Sequence, residues 1–77
     1  MNAVMTSDRN LGLINRIWDN NIPSWYQVRS HDGVHATTSD YLQAVRVAQM
    51  QARTVPGLTT VSVDGVVLDT FAMLVVL

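Results

Sequence analysis

The stretch Thr59-Thr60-Val61-Ser62-Val63-Asp64-Gly65-Val66-Val67-Leu68-Asp69-Thr70-Phe71 decides the fold. Two runs rich in β-branched residues flank Asp-Gly, a pair suited to the left-handed backbone of a tight hairpin turn. A two-residue loop pairs Val63 with Val66 and Val61 with Leu68, and turns all four to one side. Beyond the hairpin, Phe71-Ala-Met-Leu-Val-Val-Leu77 loses its alternation, so both of its faces are apolar.

Working back from this hairpin, Val55-Pro56-Gly57 ends a helical stretch. That helix begins at Ser39 or Asp40, with Gln43 completing a capping box if Asp40 is the cap. At 100° per residue Tyr41, Ala44, Val45, Ala48 and Ala52 gather on one side, with Leu42 at the edge. The alanines let the helix lie close against a sheet. Gln43, Arg46, Met50 and Arg53 face away.

A first hairpin precedes this helix, from Trp25 to Thr37 around His31-Asp32-Gly33. A three-residue loop with Gly33 in the left-handed conformation pairs Ser30 with Val34 and Val28 with Ala36. Tyr26, Val28, Val34 and Ala36 then share the buried face, which a two-residue loop would not achieve. Further back, Leu11, Leu13, Ile14, Ile17 and Trp18 form a helical stripe capped by Ser7 or Asp8. Asn20-Asn21 and the restriction that Pro23 places on Ile22 end it.

These elements predict one α+β domain over residues 1–77. Residues 1–7 are loose, 8–19 a short helix, 24–71 a ββαββ core and 72–77 an apolar extension. The core is a four-stranded antiparallel sheet with the main helix on one face. The N-terminal helix joins that face or lies at the sheet's end.

Composition narrows the function. A chain of 77 residues makes one domain, and so small a domain buries only about 60% of its unfolded surface. There is no cysteine, so disulfides and thiolate metal sites are excluded. All five basic residues are Arg and all six acidic ones Asp, for a formal net charge of −1. That balance gives no general attraction to nucleic acid or anionic lipid, and argues against direct nucleic-acid binding. The apolar C-terminus is shorter than the about 17–25 residues of a membrane helix, and Met1 to Asn10 has no apolar signal core. A soluble, cytoplasmic protein is expected.

Chemistry-bearing residues are sparse. His31, Asp32 and His35 cluster on the first hairpin but lack a fourth ligand nearby, and read as a solvated turn rather than a metal site. Ser39 reads as a helix cap rather than a nucleophile. Gly33 and Gly65 are turn glycines and open no helix, so they form no phosphate loop. No catalytic residue, cofactor or metal is expected.

Recognition surface is what remains. Arg46, Met50 and Arg53 form a solvent-side stripe that reads either as an interface or as an ordinary polar face. Trp25 and Arg29 share the outer face of the first strand, unless the N-terminal helix covers Trp25. The Phe71–Leu77 run either meets another protein, a second copy included, or packs under Leu13–Trp18.

The stretch from Trp25 to Val63 resembles small phage-encoded inhibitors of bacterial machines. It has a hairpin beginning near an aromatic residue, then Ala36-Thr37-Thr38 leading into a helix with Ala44 and Ala48. Pro56-Gly57 and the Val61-Ser62-Val63 strand follow. Type I anti-CRISPR proteins and the short phage inhibitor of bacterial RNA polymerase share this layout and size; the latter is more acidic. The resemblance implies a non-catalytic protein-binding inhibitor of a bacterial complex, of the anti-CRISPR kind, acting in the bacterial host cytoplasm. It transfers no functional residue. The alternatives are a self-associating assembly protein and a polymerase inhibitor. If the stripe is the interface, replacing Arg46 and Arg53 by Asp abolishes partner binding.

Overall fold

A computed structural model of the chain describes residues 2–19 and 24–76. Five strands and two helices follow in the order β1 (Asn2–Arg9), α1 (Leu11–Asp19), β2 (Tyr26–Ser30), β3 (Gly33–Thr38), α2 (Tyr41–Thr54), β4 (Thr59–Val63) and β5 (Val66–Val76). The strands form one antiparallel sheet in the order β1-β5-β4-β2-β3. The α+β class and the helix-backed antiparallel sheet stand; the four-stranded count does not.

The fifth strand is the chain's beginning. Residues 2–7, expected to be loose, belong to β1, which pairs with β5 from Asn2↔Val76 to Arg9↔Asp69. This also explains the unalternating C-terminal run. β5 continues to Val76 rather than ending at Phe71, because β1 supplies hydrogen-bond partners along one edge. Residues 72–76 are therefore strand and not an extension.

Because Ser7 and Asp8 are in β1, neither caps α1. Asn10 does so: its side chain accepts from Leu13 N at 3.2 Å, and its carbonyl from Ile14 N at 3.0 Å. Ile14 is buried, Leu13 and Ile17 partly so, while Trp18 sets its ring edge-on to Tyr41 at 5.9 Å. Both helices thus lie on the same face of the sheet. The expected stop at Asn20-Asn21 and Pro23 falls outside the described residues.

Helix α2 follows the sequence pattern closely. Asp40 caps it, accepting from Leu42 N and Gln43 N, but Gln43 does not return the bond; the Asp40 N–H goes to Thr38 Oγ1 at 3.1 Å. Tyr41, Ala44, Ala48 and Ala52 are buried against Val28, Val61 and Phe71, and Val45 is partly buried. Small side chains here let backbone and sheet approach closely, which is how a 77-residue chain closes a core.

Both hairpins carry a bulge that alters the expected register. In the first, the loop is two residues, His31-Asp32, with Ser30 opposite Gly33. The extra residue is His35, since Arg29 faces Val34 and Val28 faces Ala36. The Val28–Ala36 pair is as expected, but Val34 moves to the outer face and is exposed. In the second, Val63 pairs with Val66 across Asp64-Gly65, both with positive φ. Val61 then pairs with Asp69 rather than Leu68, which occupies the bulge. Leu68 and Asp69 are both buried as a result.

Candidate functional site

Outside the bulges at His35 and Leu68, register places the paired strand residues on one of two faces. On the helix side run Thr38–Tyr26–Val63–Val66, then Ala36–Val28–Val61–Asp69–Arg9, then Thr59–Phe71–Ser7, then Met73–Met5. On the other side run Thr37–Gln27–Ser62–Val67, then Val34–Arg29–Thr60–Thr70–Asp8, then Ala72–Thr6, then Leu74–Val4. No described helix covers this second face. Hydroxyl-bearing residues occupy its centre, as suits a solvated antiparallel sheet. Its periphery carries exposed Val4, Val34, Val67 and Leu74.

The five candidate recognition residues divide between two opposite surfaces. Arg46, Met50 and Arg53 are exposed on α2, on the side away from the sheet. Gln27 and Arg29 alternate with buried Tyr26 and Val28, so they lie on the uncovered face, where Arg29 Nε donates to Gln27 Oε1 at 3.3 Å. Trp25, at the entrance to β2, is 66% exposed, so α1 does not cover it. The helix stripe and the Trp25–Arg29 pair cannot meet one flat partner together.

The hairpin cluster is divided by its bulge. His31 Nε2 lies 3.0 Å from Asp32 Oδ1, whereas His35 Nε2 lies 2.5 Å from Ser30 Oγ, which also accepts from Asp32 N at 3.1 Å. The Asp32 carboxylate is thus spent on His31, and only the Asp32 backbone N–H reaches the Ser30–His35 pair. Among the described residues no three His, Asp or Glu side chains converge to hold a metal. Ser39 sits in the bend before Asp40, beside the cap rather than a cleft.

A buried polar constellation was not expected from the sequence. Asp69 is fully buried in β5, and both carboxylate oxygens are bonded: Oδ1 accepts from Arg9 Nε at 2.7 Å and Oδ2 from the Tyr41 hydroxyl at 2.5 Å. Arg9 also donates through Nη2 to the Tyr41 oxygen at 2.7 Å. Desolvation, then the bond to Asp69, pushes the Tyr41 phenol up to about 12, with Arg9 pulling the other way. The bonds to Tyr41 and to Asp69 raise the Arg9 guanidinium further above its ordinary value. Both Asp69 oxygens and the Tyr41 hydroxyl are bonded within the triad, as is one side of the Arg9 guanidinium, which suits a clamp joining β1, α2 and β5. A shallow depression of about 400 Å³ lies beside it, lined by Asp8, Arg9, Asn10, Val67, Leu68 and Thr70.

No family model, curated protein or solved structure matches the chain. Functional argument therefore rests on its own surfaces. No described helix is long and apolar enough to cross a membrane.

Proposed function

We propose that this chain is a non-catalytic protein-binding module that grips a larger assembly with the β2 strip of its uncovered sheet face, from Trp25 to Arg29. The observation that carries the reading is the exposure of Trp25 just before β2 and of Arg29, paired with exposed Val34, toward its other end, along a strand whose outer face both helices leave free. Trp and Arg are the residues that most often dominate binding energy at protein interfaces. Hydroxyl-bearing neighbours Thr37 and Thr60 offer hydrogen bonds around this anchor without charge. The buried members of the polar triad, Asp69 and Tyr41, bond to each other and to Arg9, which suits a scaffold role for it.

The specific form suggested by the layout of residues 25–63 is a stoichiometric inhibitor of a bacterial complex, of the anti-CRISPR kind. Titration calorimetry of the purified chain against a purified type I interference complex tests it. Nanomolar-to-micromolar binding is expected, weakened at least about tenfold by Trp25→Ala with Arg29→Ala. Arg46→Asp with Arg53→Asp serves as the opposite-face comparison. Loss of affinity in that pair alone would move the interface to α2, and no binding to the complex would remove this form of the proposal.

A further inference from the structure

We infer that two copies of this chain join through the free edge of β5 at residues 72–76, filling each other's sheet. This rests on strand pairing and is independent of the partner proposed for the β2 strip from Trp25 to Arg29.

β4 pairs with β5 only as far as Thr59↔Phe71, whereas β1 accompanies β5 to Asn2↔Val76. The last five residues of β5 therefore have β1 on one edge and, among the described residues, no strand on the other. The chain turns away here because Gly57, with a φ of 93°, bends the segment leading into β4. Leu58, at the closed end of the resulting slot, is 62% exposed. Residues 2–6 and 72–76 thus project as a two-stranded ribbon of about 17 Å. The molecule measures 43 Å in its long dimension against 23 and 18 Å. An isolated two-stranded ribbon is marginal in water and needs a further strand.

The slot has none of the features that protect an edge: residues 71–76 contain no charge, no proline and no bulge. The facing β1 residues 2–7 are also uncharged, and the chain's net charge is only −1, so little repulsion opposes two copies. A second copy fits for a geometric reason. Its β5 must run antiparallel to pair across a two-fold axis, and antiparallel is the direction β4 would have taken in the slot. Centred on Leu74, residue 72 faces residue 76 of the other copy, so slot and insert have equal length. Leu74 meets its own counterpart at the axis, and it is 55% exposed in the single chain.

The absence of cysteine allows a direct test with single-cysteine variants of the full chain. Only residue 74 faces itself, at a separation a disulfide can span, while residue 72 lies about 13 Å from its copy. Under mild oxidation Leu74→Cys is expected to give a disulfide-linked dimer rapidly, and Ala72→Cys and Leu58→Cys slowly. Sedimentation of the wild type should show a reversible dimer at micromolar to near-millimolar concentration. Leu74→Lys should raise its dissociation constant by more than about tenfold through like charges at the axis, with an unchanged far-ultraviolet spectrum. A wild type that stays monomeric across that range overturns the inference. So does cross-linking of Ala72→Cys as fast as Leu74→Cys, or a dimer that Leu74→Lys leaves intact.

Discussion

The hydroxyl of Tyr41, the first residue of α2, donates to the fully buried carboxylate of Asp69 in β5. An ionised carboxylate in such a place is costly unless both oxygens are bonded. Here Arg9 reaches from the edge strand to complete the set. Chain start, main helix and central hairpin are thus tied at one point, which explains how an edge strand of mixed composition holds its register.

Replacing Arg9 by Ala leaves Asp69 buried with only the phenol as partner. A loss of about 3 kcal/mol is expected, the lower end for a broken buried pair because Arg9 is itself partly exposed. That is a large share of the roughly 4–11 kcal/mol typical of a domain this size. Arg9→Met with Asp69→Leu should lose much less, since no charge is then stranded. Urea denaturation of wild type and both variants checks the order.

Stability should also fall at alkaline pH for a specific reason. The Tyr41 phenol titrates near 10 in the unfolded chain and at about 12 when folded. Below 10 both states are protonated and the phenol adds no slope. Between 10 and 12 the unfolded chain has lost the proton while the folded one keeps it, so stability declines as pH rises. The melting temperature should drop across this window in the wild type and drop less in Tyr41→Phe. Equal slopes would remove the assignment.

Much of the fold was legible in residues with strong local chemistry. Asp40, the alanines at 44, 48 and 52, and Asp64-Gly65 each act within a few positions of themselves, and their elements lie where the sequence puts them. β1 was not legible because Ser7 and Asp8 resemble a helix cap and residues 2–6 alternate weakly. Two non-local signals pointed to it. Asp69 stands among Val67, Leu68 and Phe71 and so required a distant cation, and the apolar run after Phe71 required a partner strand. The bulges at His35 and Leu68 answer to packing across strands and have no local signature. The division of Arg46, Met50 and Arg53 from Trp25 and Arg29 could be read from periodicity, whereas whether α1 covers Trp25 could not.

Thr59 carries a buried defect that can be removed. Its Oγ1 has no hydrogen-bond partner, although the residue is fully buried between the sheet and α2, opposite Phe71. Thr59→Val keeps the shape and replaces the unsatisfied hydroxyl with a methyl group. A gain of about 1 kcal/mol is expected, raising the melting temperature by about 4–8 °C. A lower melting temperature would indicate that the hydroxyl is satisfied by water.

The second hairpin should depend on its turn more than the first. Asp64 and Gly65 have φ of 50° and 79°, the left-handed pair that a two-residue loop needs to match strand twist. Asp tolerates that conformation through its short polar side chain, whereas a β-carbon at Gly65 meets no neighbour but forces a strained backbone. Gly65→Ala should therefore cost about 1–2 kcal/mol by strain alone. Asp64→Asn should be close to neutral, since Asn-Gly favours the same turn. Because β4 and β5 lie at the centre of the sheet, Gly65→Ala should also slow refolding if this hairpin forms early, with little change in the unfolding rate. Stopped-flow kinetics distinguish this from an effect confined to unfolding, which would place hairpin closure after the rate-limiting step.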